Sequence, residues 1–370
     1  MSSSAEIHAS LHLSHFSSTP PILHHALLSA FPTAAACVQA GPAVWAERAL
    51  ITADAVISFE REWEEAKRFA DRELKEVEEK NVRVYLWQDS GYPALLKKIS
   101  AAPPIIYALG QPLCDTVLPL AIVGSRRPTY YGEKVAREFA GELADLGVVA
   151  VSGLARGIDS RVHDETIRRG GITWAVLGSG LFNLYPRENK ALAERILEKG
   201  TLLSEFPLHT PPYRGHFPRR NRVIAGLSFG TIIVEGDERS GSLITARLAA
   251  EEGRDVFAVP GPISSSLSRG PHRLIQNGAA LVTCVDDIID ALPDYLRERL
   301  AKRIMNEGKN VFTSSEEQSK LMHELEATAL PREILSERLK MPNPALAAVL
   351  LELELRGAIR SLPGGLVERT

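Results

Sequence analysis

Between residues 82 and 290, short runs of apolar and β-branched residues alternate with amphipathic stretches long enough to form helices. This alternation is typical of a doubly wound α/β sheet. Because the runs are almost continuously apolar, we expect strands buried on both faces, as parallel sheets require. The predicted strands are LAIVG (120–124), VVAVS (148–152), TWAVL (173–177), TLLSEF (201–206), TIIVEG (231–236), DVFAVPG (255–261) and ALVTC (280–284).

The chain before these strands has a different pattern. The segment 82–110 has strand character at both ends, and we interpret it as a connecting or edge element. Residues 22–80 show helical patterns interrupted by Pro and Gly, which predict a small all-α unit within 1–82. Residues 1–20 are rich in serine and are expected to be loose. The histidines of this region are assigned to a mobile tail and a solvated helix face, not to a metal site: His12, His15, His24 and His25.

We place the sheet region at 83–304. The polar stretch that follows it, at 305–320, is predicted to be a linker. Residues 321–370 then show three helical segments and a hairpin with a Pro-Gly-Gly turn, the order of elements in a winged helix. The third helix of a DNA-reading winged helix carries basic residues. Here it carries Glu352 and Glu354 against a single Arg356, so we favour protein contact for this domain.

Charge is unevenly distributed along the 370 residues, a length that predicts two or three domains. The net charge of −3 argues against a general polyanion binder. Residues 120–225, however, contain 16 basic and 11 acidic residues. A local positive field within an acidic protein indicates a defined anion site.

The N-terminus has no pattern of a signal peptide, and no window approaches the ~18 apolar residues of a membrane span. The three cysteines, Cys37, Cys114 and Cys284, are far apart and without metal spacing. We interpret them as buried free thiols in a reducing compartment. The sequence therefore predicts a cytoplasmic protein that does not contact a membrane.

Small residues follow almost every predicted strand, and the carboxyl ends of parallel strands meet at one edge of the sheet. Backbone N–H groups at such turns bind anions, and glycine lets an oxygen approach closely. The turn after VVAVS, at 152–163, is here named the second turn, and the turn after LAIVG the first. In the second turn, Asp159 is expected to order the loop and His163 to lie on a helix face. Three turns are predicted to hold phosphates, through Gly124, Ser125, Arg126, Arg127, Ser152, Gly153, Arg156, Gly157, Ser240, Gly241 and Ser242.

The stretch RGHFPRRNR, at 214–222, places four arginines and Phe217 in nine residues without an acidic one. A guanidinium binds phosphate oxygens two at a time and stacks on flat rings. An aromatic ring among such groups suits a flexible nucleic-acid strand. Composition alone also allows a basic surface loop with a core phenylalanine, but the three turns on the same edge favour binding.

The sequence gives no indication of catalysis. The first turn lacks the GxGxxG fingerprint and no acidic residue ends the second strand, so NAD is not expected. Glu205 and Glu235 end strands and are candidate catalytic carboxylates, although orienting arginines is their simpler role. Neither a Walker lysine nor the motifs of zinc proteases, serine hydrolases or zinc deaminases occur. We expect a binding protein without cofactor or metal.

In combination, these motifs resemble the DNA processing protein A (DprA/Smf) family. AIVGSR, SGLARGID, AVLGSGL, YPRENKAL, LLSEFP, FPRRNRVIAGLS, SGSLITARLAAEEGRDVFAVPG and GPHRLIQNGAALV occur in order across 88–290. The resemblance implies an extended Rossmann-like sheet domain, preceded by a SAM-like helical domain and followed by a winged-helix-like domain. The resemblance also identifies further candidate DNA-binding residues: Lys190, Arg214, Phe217, Arg220, Asn221 and Arg222.

The resemblance also implies a function. It predicts a homodimer, formed through the Rossmann-like domain, that binds single-stranded DNA, protects incoming DNA in natural transformation and loads the RecA recombinase. Phe217 is expected to stack on a base, and a duplex hides its base faces. We expect little sequence preference, since no set of side chains is arranged to read base edges.

The chain departs from the family pattern at Arg219, which adds a charge, and at 160–162, which are bulkier than usual. Two alternatives stay open. One is a nucleotide hydrolase like the cytokinin-activating (LOG) phosphoribohydrolases, although their PGGxGTxxE turn is replaced here by ERSGSLITA. The other is an assembly scaffold whose acidic terminal domains contact partners.

Overall fold

The computed structural model describes two compact units, Met1–Leu296 and Arg297–Thr370, which are treated separately. Cys114 and residues 305–315 of the predicted linker lie outside the described residues. The described residues are 3–16, 21–48, 50–113, 118–300, 316–325, 328–339, 341, 346, 349–350, 353–354, 357–362 and 366–370.

The first unit contains a nine-stranded sheet of order β1-β2-β6-β5-β4-β3-β7-β8-β9. Strands β3 to β9 pair in parallel, while β1 and β2 form an antiparallel edge next to β6. The strands are β1 (Arg83–Leu86), β2 (Ile105–Gly110), β3 (Pro119–Val123), β4 (Val149–Ser152), β5 (Thr173–Val176), β6 (Thr201–Ser204), β7 (Gly230–Ile233), β8 (Asp255–Ala258) and β9 (Ala280–Leu281). The doubly wound sheet and its edge element are therefore confirmed, although ALVTC contributes only two strand residues.

Helices cover both faces of this sheet. In β5, Trp174 and Val176 belong to one hydrophobic core and Ala175 to the other, because successive strand residues point to opposite faces. The helices are α1 (Ser4–His15), α2 (Pro21–Ala30), α3 (Ala34–Glu47), α4 (Ala53–Glu79), α5 (Ala94–Lys97), α6 (Tyr130–Asp145), α7 (Ile158–Arg168), α8 (Lys190–Lys199), α9 (His216–Leu227), α10 (Gly241–Glu251), α11 (Arg269–Gln276) and α12 (Val285–Ala291).

The strand order reverses at β3. The chain builds β3, β4, β5 and β6 in one direction and then returns to add β7, β8 and β9 on the other side of β3. Connections on the two sides of such a point diverge, which leaves a crevice at the carboxyl ends of the two central strands. The topology therefore places a site between β3 and β7.

Two predictions for the N-terminal region are wrong. Residues 4–15 are not loose but form α1, capped by the Ser3 hydroxyl, which accepts the N–H of Glu6 at 3.3 Å. His12 and His24 are not on a solvated face, since they are 2% and 1% exposed. Burial lowers the pKa of His12 to about 4 and that of His24 to about 3. Cys37 is a buried free thiol as predicted, whereas Cys284 is exposed.

Among all the described residues, no group of three or more His, Cys, Asp or Glu side chains is arranged to hold a metal ion. No single described helix is both long and apolar enough to cross a bilayer. The pair Ile22–Ala30 and Ala34–Glu47 reaches that length and composition only together, with a bend of 102°.

The second unit contains α13 (Glu316–Glu324), β10 (Leu330–Pro331), α14 (Arg332–Leu339), β11 (Ile359–Leu362) and β12 (Leu366–Arg369). The strands form an antiparallel sheet of order β10-β12-β11. Leu346, Leu350 and Leu353 recur at helical spacing and are buried with residues of both helices and the sheet. The predicted hairpin is confirmed, while its Pro-Gly-Gly turn, Glu352 and Arg356 lie outside the described residues.

Candidate nucleic-acid interface

A cavity of about 720 Å³ opens at the carboxyl edge of the sheet, at the reversal between β3 and β7. Its walls come from the turn after β3, the first half of α9 and the start of α10. Ten predicted site residues line it: Gly124, Ser125, Arg126, Arg214, Phe217, Arg220, Asn221, Ser240, Gly241 and Ser242.

The turn after β3 is tightly packed. A Cβ on Gly124 would lie 2.7 Å from the side chain of Ile158, so no larger residue fits without displacement. Ser125 is buried, its hydroxyl accepts the N–H of Arg127 at 3.1 Å, and its carbonyl accepts the N–H of Ile158 at 3.1 Å. Arg126 extends from this fixed turn into the cavity, whereas the exposed Arg127 does not line it.

The basic stretch 214–222 forms the start of α9, and helical periodicity divides it. Phe217, Asn221 and Ile224 recur at helical spacing and line the cavity. Arg219 and Arg222 project instead toward Glu205: Nε of Arg219 donates to Oε2 at 2.9 Å, and Nη2 of Arg222 donates to the same oxygen. The structure therefore does not bring Arg222 to the cavity.

Arg220 lines the cavity but is only 4% exposed. Its Nη1 donates to the carbonyl of Gly153 at 2.7 Å and to that of Val176, which ties the ends of β4 and β5 together. Burial lowers its pKa to about 10, and the charge of Asp159 opposes this shift. Because Nη1 donates to backbone carbonyls and Nε donates to Oδ1 of Asn221 at 3.1 Å, Arg220 shapes the cavity wall rather than presenting an open fork to a phosphate.

Phe217 lies among cationic groups. Its ring rests against Gly178, where a Cβ would be 2.7 Å from Cδ1, and the Arg126 guanidinium lies over it, 5.3 Å from the centroid. Within the described part of the chain, Arg126, Arg214 and Arg239 form no ion pair with a carboxylate, and all three line the cavity. These groups make the cavity positively charged.

The lining also contains two carboxylates. Asp159 accepts the N–H groups of Gly153 at 3.1 Å and Ala155 at 3.3 Å, and burial raises its pKa. Its predicted role in ordering the second turn is confirmed. Asp237 accepts the N–H of Arg239 at 2.8 Å. Both acids are thus engaged by backbone donors.

The N-terminus of α10 closes the cavity on the other side. Ser240 is its N-cap, and its hydroxyl accepts the N–H of Ser242 at 3.3 Å. The side chain of Asn221 donates to the carbonyl of Gly241 at 3.3 Å, which fixes α9 against α10. The first N–H groups of a helix and its dipole attract anions, so the cavity meets a second positive element here.

The second turn reaches the cavity through Ala155 and Asp159, while its other residues support the first turn. The Ser152 hydroxyl is buried and donates to the carbonyl of Ile122 at 2.7 Å. Gly157 has φ of +75°, and a Cβ there would lie 2.3 Å from the carbonyl oxygen of Ser125. Neither Ser152 nor Gly157 is therefore placed to contact a ligand in the cavity.

Two other predicted residues lie outside the main cavity. Arg156 lines a small adjoining pocket with Gly153 and pairs with both oxygens of Glu188, at 2.7 and 2.8 Å. Lys190 begins α8 on the exposed surface, 3.9 Å from Glu194. The motif containing Lys190 was recognised from sequence, but the position of α8 keeps its side chain away from the cavity.

His163 lies on α7 as predicted, but on the buried face. Its Nε2 accepts the N–H of Leu154 at 3.3 Å, and its Nδ1 is 2.7 Å from the hydroxyl of Thr173. Burial, and secondarily the charge of Arg220, lowers its pKa to about 3. It is a neutral structural residue of the second turn.

Neither candidate catalytic carboxylate lines the cavity. Glu205 holds two arginines on the far side of α9, in the orienting role predicted for it. Glu235 accepts the N–H of Thr129 at 2.9 Å and its hydroxyl at 2.5 Å, and so fixes the start of α6 instead of an arginine. The described residues therefore do not assemble a pair of carboxylates for hydrolysis here.

Sequence interpretation missed Tyr185, Asp237 and Arg239, which all line the cavity. Tyr185 opens the YPRENK motif, and its ring centroid is 5.7 Å from that of Phe217. Asp237 and Arg239 directly precede the Ser-Gly-Ser turn. Their position between a strand and a helix, at the carboxyl edge of the sheet, was the available signal.

Residues 83–293 match the family model described as DNA recombination-mediator protein A, and residues 309–365 match that of the DprA winged helix domain. Protein Smf of Escherichia coli (strain K12) is 42% identical over 283 residues, which cover 75% of this chain and 74% of that protein.

Two DprA structures are among the solved structures that this chain resembles. The X-ray structure of DprA from Streptococcus pneumoniae has a TM-score of 0.66 and 35% identity, covering 79% of this chain and 99% of that one. DprA from Helicobacter pylori, described for its single-stranded DNA binding mode, has a TM-score of 0.52 and 30% identity, covering 56% and 94%.

Proposed function

This chain belongs to the DNA recombination-mediator protein A (DprA/Smf) family, and we propose that it binds single-stranded DNA in the cavity between β3 and β7 without catalysing a reaction. One observation carries the proposal. Three guanidiniums that form no ion pair within the described residues, those of Arg126, Arg214 and Arg239, line one cavity with the Phe217 ring and the N-terminus of α10.

Each part of the cavity has a role in this proposal. The guanidiniums and the first N–H groups of α10 hold phosphates, since both favour negative oxygens. Phe217 stacks on a base, whose face replaces the Arg126 guanidinium over the ring. A duplex keeps its base faces stacked inside, so the ring discriminates in favour of single strands. The lining contains no set of side chains arranged to read base edges, so sequence preference is weak.

The remaining expectations extend this proposal. Two copies associate through the Rossmann-like domain, and the outer edge of β9 with the exposed Ile263 and Leu281, 92% and 50% exposed, supports such a contact. Membership of the family supports a further role for the bound strand: protection of incoming DNA and its transfer to the RecA recombinase, in natural transformation and recombination. Glu352 and Glu354, in the segment that the sequence predicts as a third helix, favour protein contact by the winged-helix domain.

The test compares adjacent arginines. Fluorescence anisotropy with a labelled oligo-dT strand and with a duplex is measured for the wild type, Arg126→Ala and Arg127→Ala. We expect tighter binding of the single strand, a loss of at least about fivefold in Arg126→Ala, equivalent to ~1 kcal/mol, and little change in Arg127→Ala. Equal affinity for duplex and single strand, or equal loss in both variants, would contradict the proposal.

A further inference from the structure

Two loops next to the cavity lie side by side: residues 178–187, after β5, and residues 206–215, after β6. The N–H of Gly180 donates to the carbonyl of Thr210 at 2.9 Å, and that of Phe182 donates to Leu208 at 2.9 Å. The side-chain amide of Asn183 adds a bond to the carbonyl of His209 at 3.2 Å. These paired loops therefore form one surface with a fixed backbone.

The paired loops expose aromatic rings. Tyr213 is 68% exposed, Tyr185 is 40% exposed and Phe182 is 36% exposed. Tyr185 lines the cavity beside Phe217, and Tyr213 directly precedes Arg214 of the cavity lining. The rings of Phe182, Tyr185 and Tyr213 are here named the aromatic strip. Tyr185 and Tyr213 adjoin the cavity, and Phe182 lies farther out beside His209, with ring centroids 5.6 Å apart.

The charge around the aromatic strip changes along its length. The paired loops contain no Asp or Glu, and they carry the exposed Arg187 and Arg214. Their other end is anchored on α4, where Glu73 accepts the N–H of Leu208 at 2.6 Å and Glu76 lies 2.6 Å from Nε2 of His209. A polyanion is therefore favoured near the cavity and disfavoured where the paired loops meet α4.

We propose that the aromatic strip is a second part of the single-stranded DNA site, on which bases stack after the strand leaves the cavity past Tyr185. This inference rests on the function proposed above and adds the path of the strand, from Phe217 outward to Tyr213 and Phe182 and ending at α4. Single-stranded DNA is the occupant because every base has a face for an exposed ring, the paired loops lack carboxylates and the surface is continuous with the cavity.

The experiment varies the length of the DNA. Anisotropy is measured with oligo-dT strands of about 4 to about 20 nucleotides, a range that spans common single-strand site sizes. We compare the wild type with the double variant Phe182→Ala/Tyr213→Ala, with Phe217→Ala and with Tyr295→Ala, which removes an exposed ring outside the paired loops. Equal thermal melting confirms that each variant folds.

The double variant should bind the shortest strands as the wild type does and the longest about 25-fold more weakly, at about fivefold for each lost ring. Phe217→Ala should weaken binding at every length, and Tyr295→Ala should change none. The double variant Phe182→Tyr/Tyr213→Trp keeps an aromatic face at both positions and should bind long strands as the wild type does.

Other results would overturn the inference in distinguishable ways. If Phe217→Ala weakens binding while the double variant matches Tyr295→Ala at all lengths, the cavity proposal stands and the aromatic strip is rejected. If the double variant keeps its DNA affinity but loses association with RecA, the surface is a protein contact and the inference is wrong. If the wild type does not bind single strands, both proposals are rejected together.

Discussion

The two faces of α9 carry the same kind of side chain into different surroundings. On one face, Arg214, just before the helix, and Phe217 line the cavity, and Arg214 forms no ion pair within the described residues. On the other, Arg219 and Arg222 share one oxygen of Glu205, whose side chain is 1% exposed. The first face has cationic donors available to a ligand, and on the second both guanidiniums are engaged by one buried carboxylate.

The difference shows that position on a helix, not residue type, decides which arginines reach the cavity. Residues three and four apart share a face, so Arg219 and Arg222 go together, as do Phe217 and Asn221. A buried guanidinium needs a counter-charge or several acceptors because desolvation penalises the charged form. Glu205 meets this need on one face, and backbone carbonyls meet it for Arg220.

The largest effect is expected on the Glu205 face. Glu205→Gln leaves the mostly buried Arg222 without its counter-charge, and breaking such a pair costs about 3–5 kcal/mol. Urea denaturation should show this loss in the free energy of unfolding, while the folded variant binds single-stranded DNA as the wild type does. A stable variant with weakened DNA binding would mean that Glu205 acts on the ligand.

On the cavity face, Phe217→Ala should weaken single-stranded DNA binding by about 1–3 kcal/mol, because the base loses its stacking partner. Titration calorimetry with an oligo-dT strand measures the change. Phe217→Leu is the matched control, since it keeps apolar volume but has no ring. It should bind single-stranded DNA nearly as weakly as Phe217→Ala does. Wild-type affinity in the leucine variant would show that apolar burial rather than stacking holds the base.

The pH dependence of stability tests the assignment of His163 as a buried neutral residue. The pKa of His163 is lowered to about 3 in the folded protein, so the unfolded chain, with a pKa near 6.5, takes up the proton first. Stability therefore falls as pH falls from about 6.5 toward 3. This histidine accounts for about 2 kcal/mol between pH 7 and pH 5. The unfolding free energy of His163→Gln should be less sensitive to that pH change by this amount, and an unchanged pH dependence would contradict the assignment.

The sequence predicted the sheet and the edge where the cavity opens, because apolar runs and the small residues after them are local signals. For this reason Gly124, Ser125 and Ser240, which were predicted at that edge, line the cavity. Positions that depend on helix phase could not be predicted in this way. Arg222 belongs to the recognised motif, but only the start of α9 at His216 determines that it faces Glu205.

Other differences between expectation and structure came from burial that depends on distant parts of the chain. Ser152 ends a strand like the lining residues, yet its hydroxyl is used by the carbonyl of Ile122 in the neighbouring strand. The serine-rich composition of 1–20 suggested a loose segment, but Leu11 and Leu13 pack in α1 and are fully buried. Packing partners of this kind are set by tertiary structure and are not visible as a local pattern.

The most direct test of the division between the two faces compares Arg214→Ala with Arg219→Ala in single-stranded DNA binding across a range of salt concentrations. Both variants remove one charge from the same nine-residue stretch. For the wild type we expect a slope of log K against log salt of about −2 to −4, from ~3–5 neutralised phosphates. Arg214→Ala should bind at least about fivefold more weakly and reduce the slope by about 0.7, while Arg219→Ala leaves both unchanged. Equal losses in the two variants, or a larger loss in Arg219→Ala, would contradict the account.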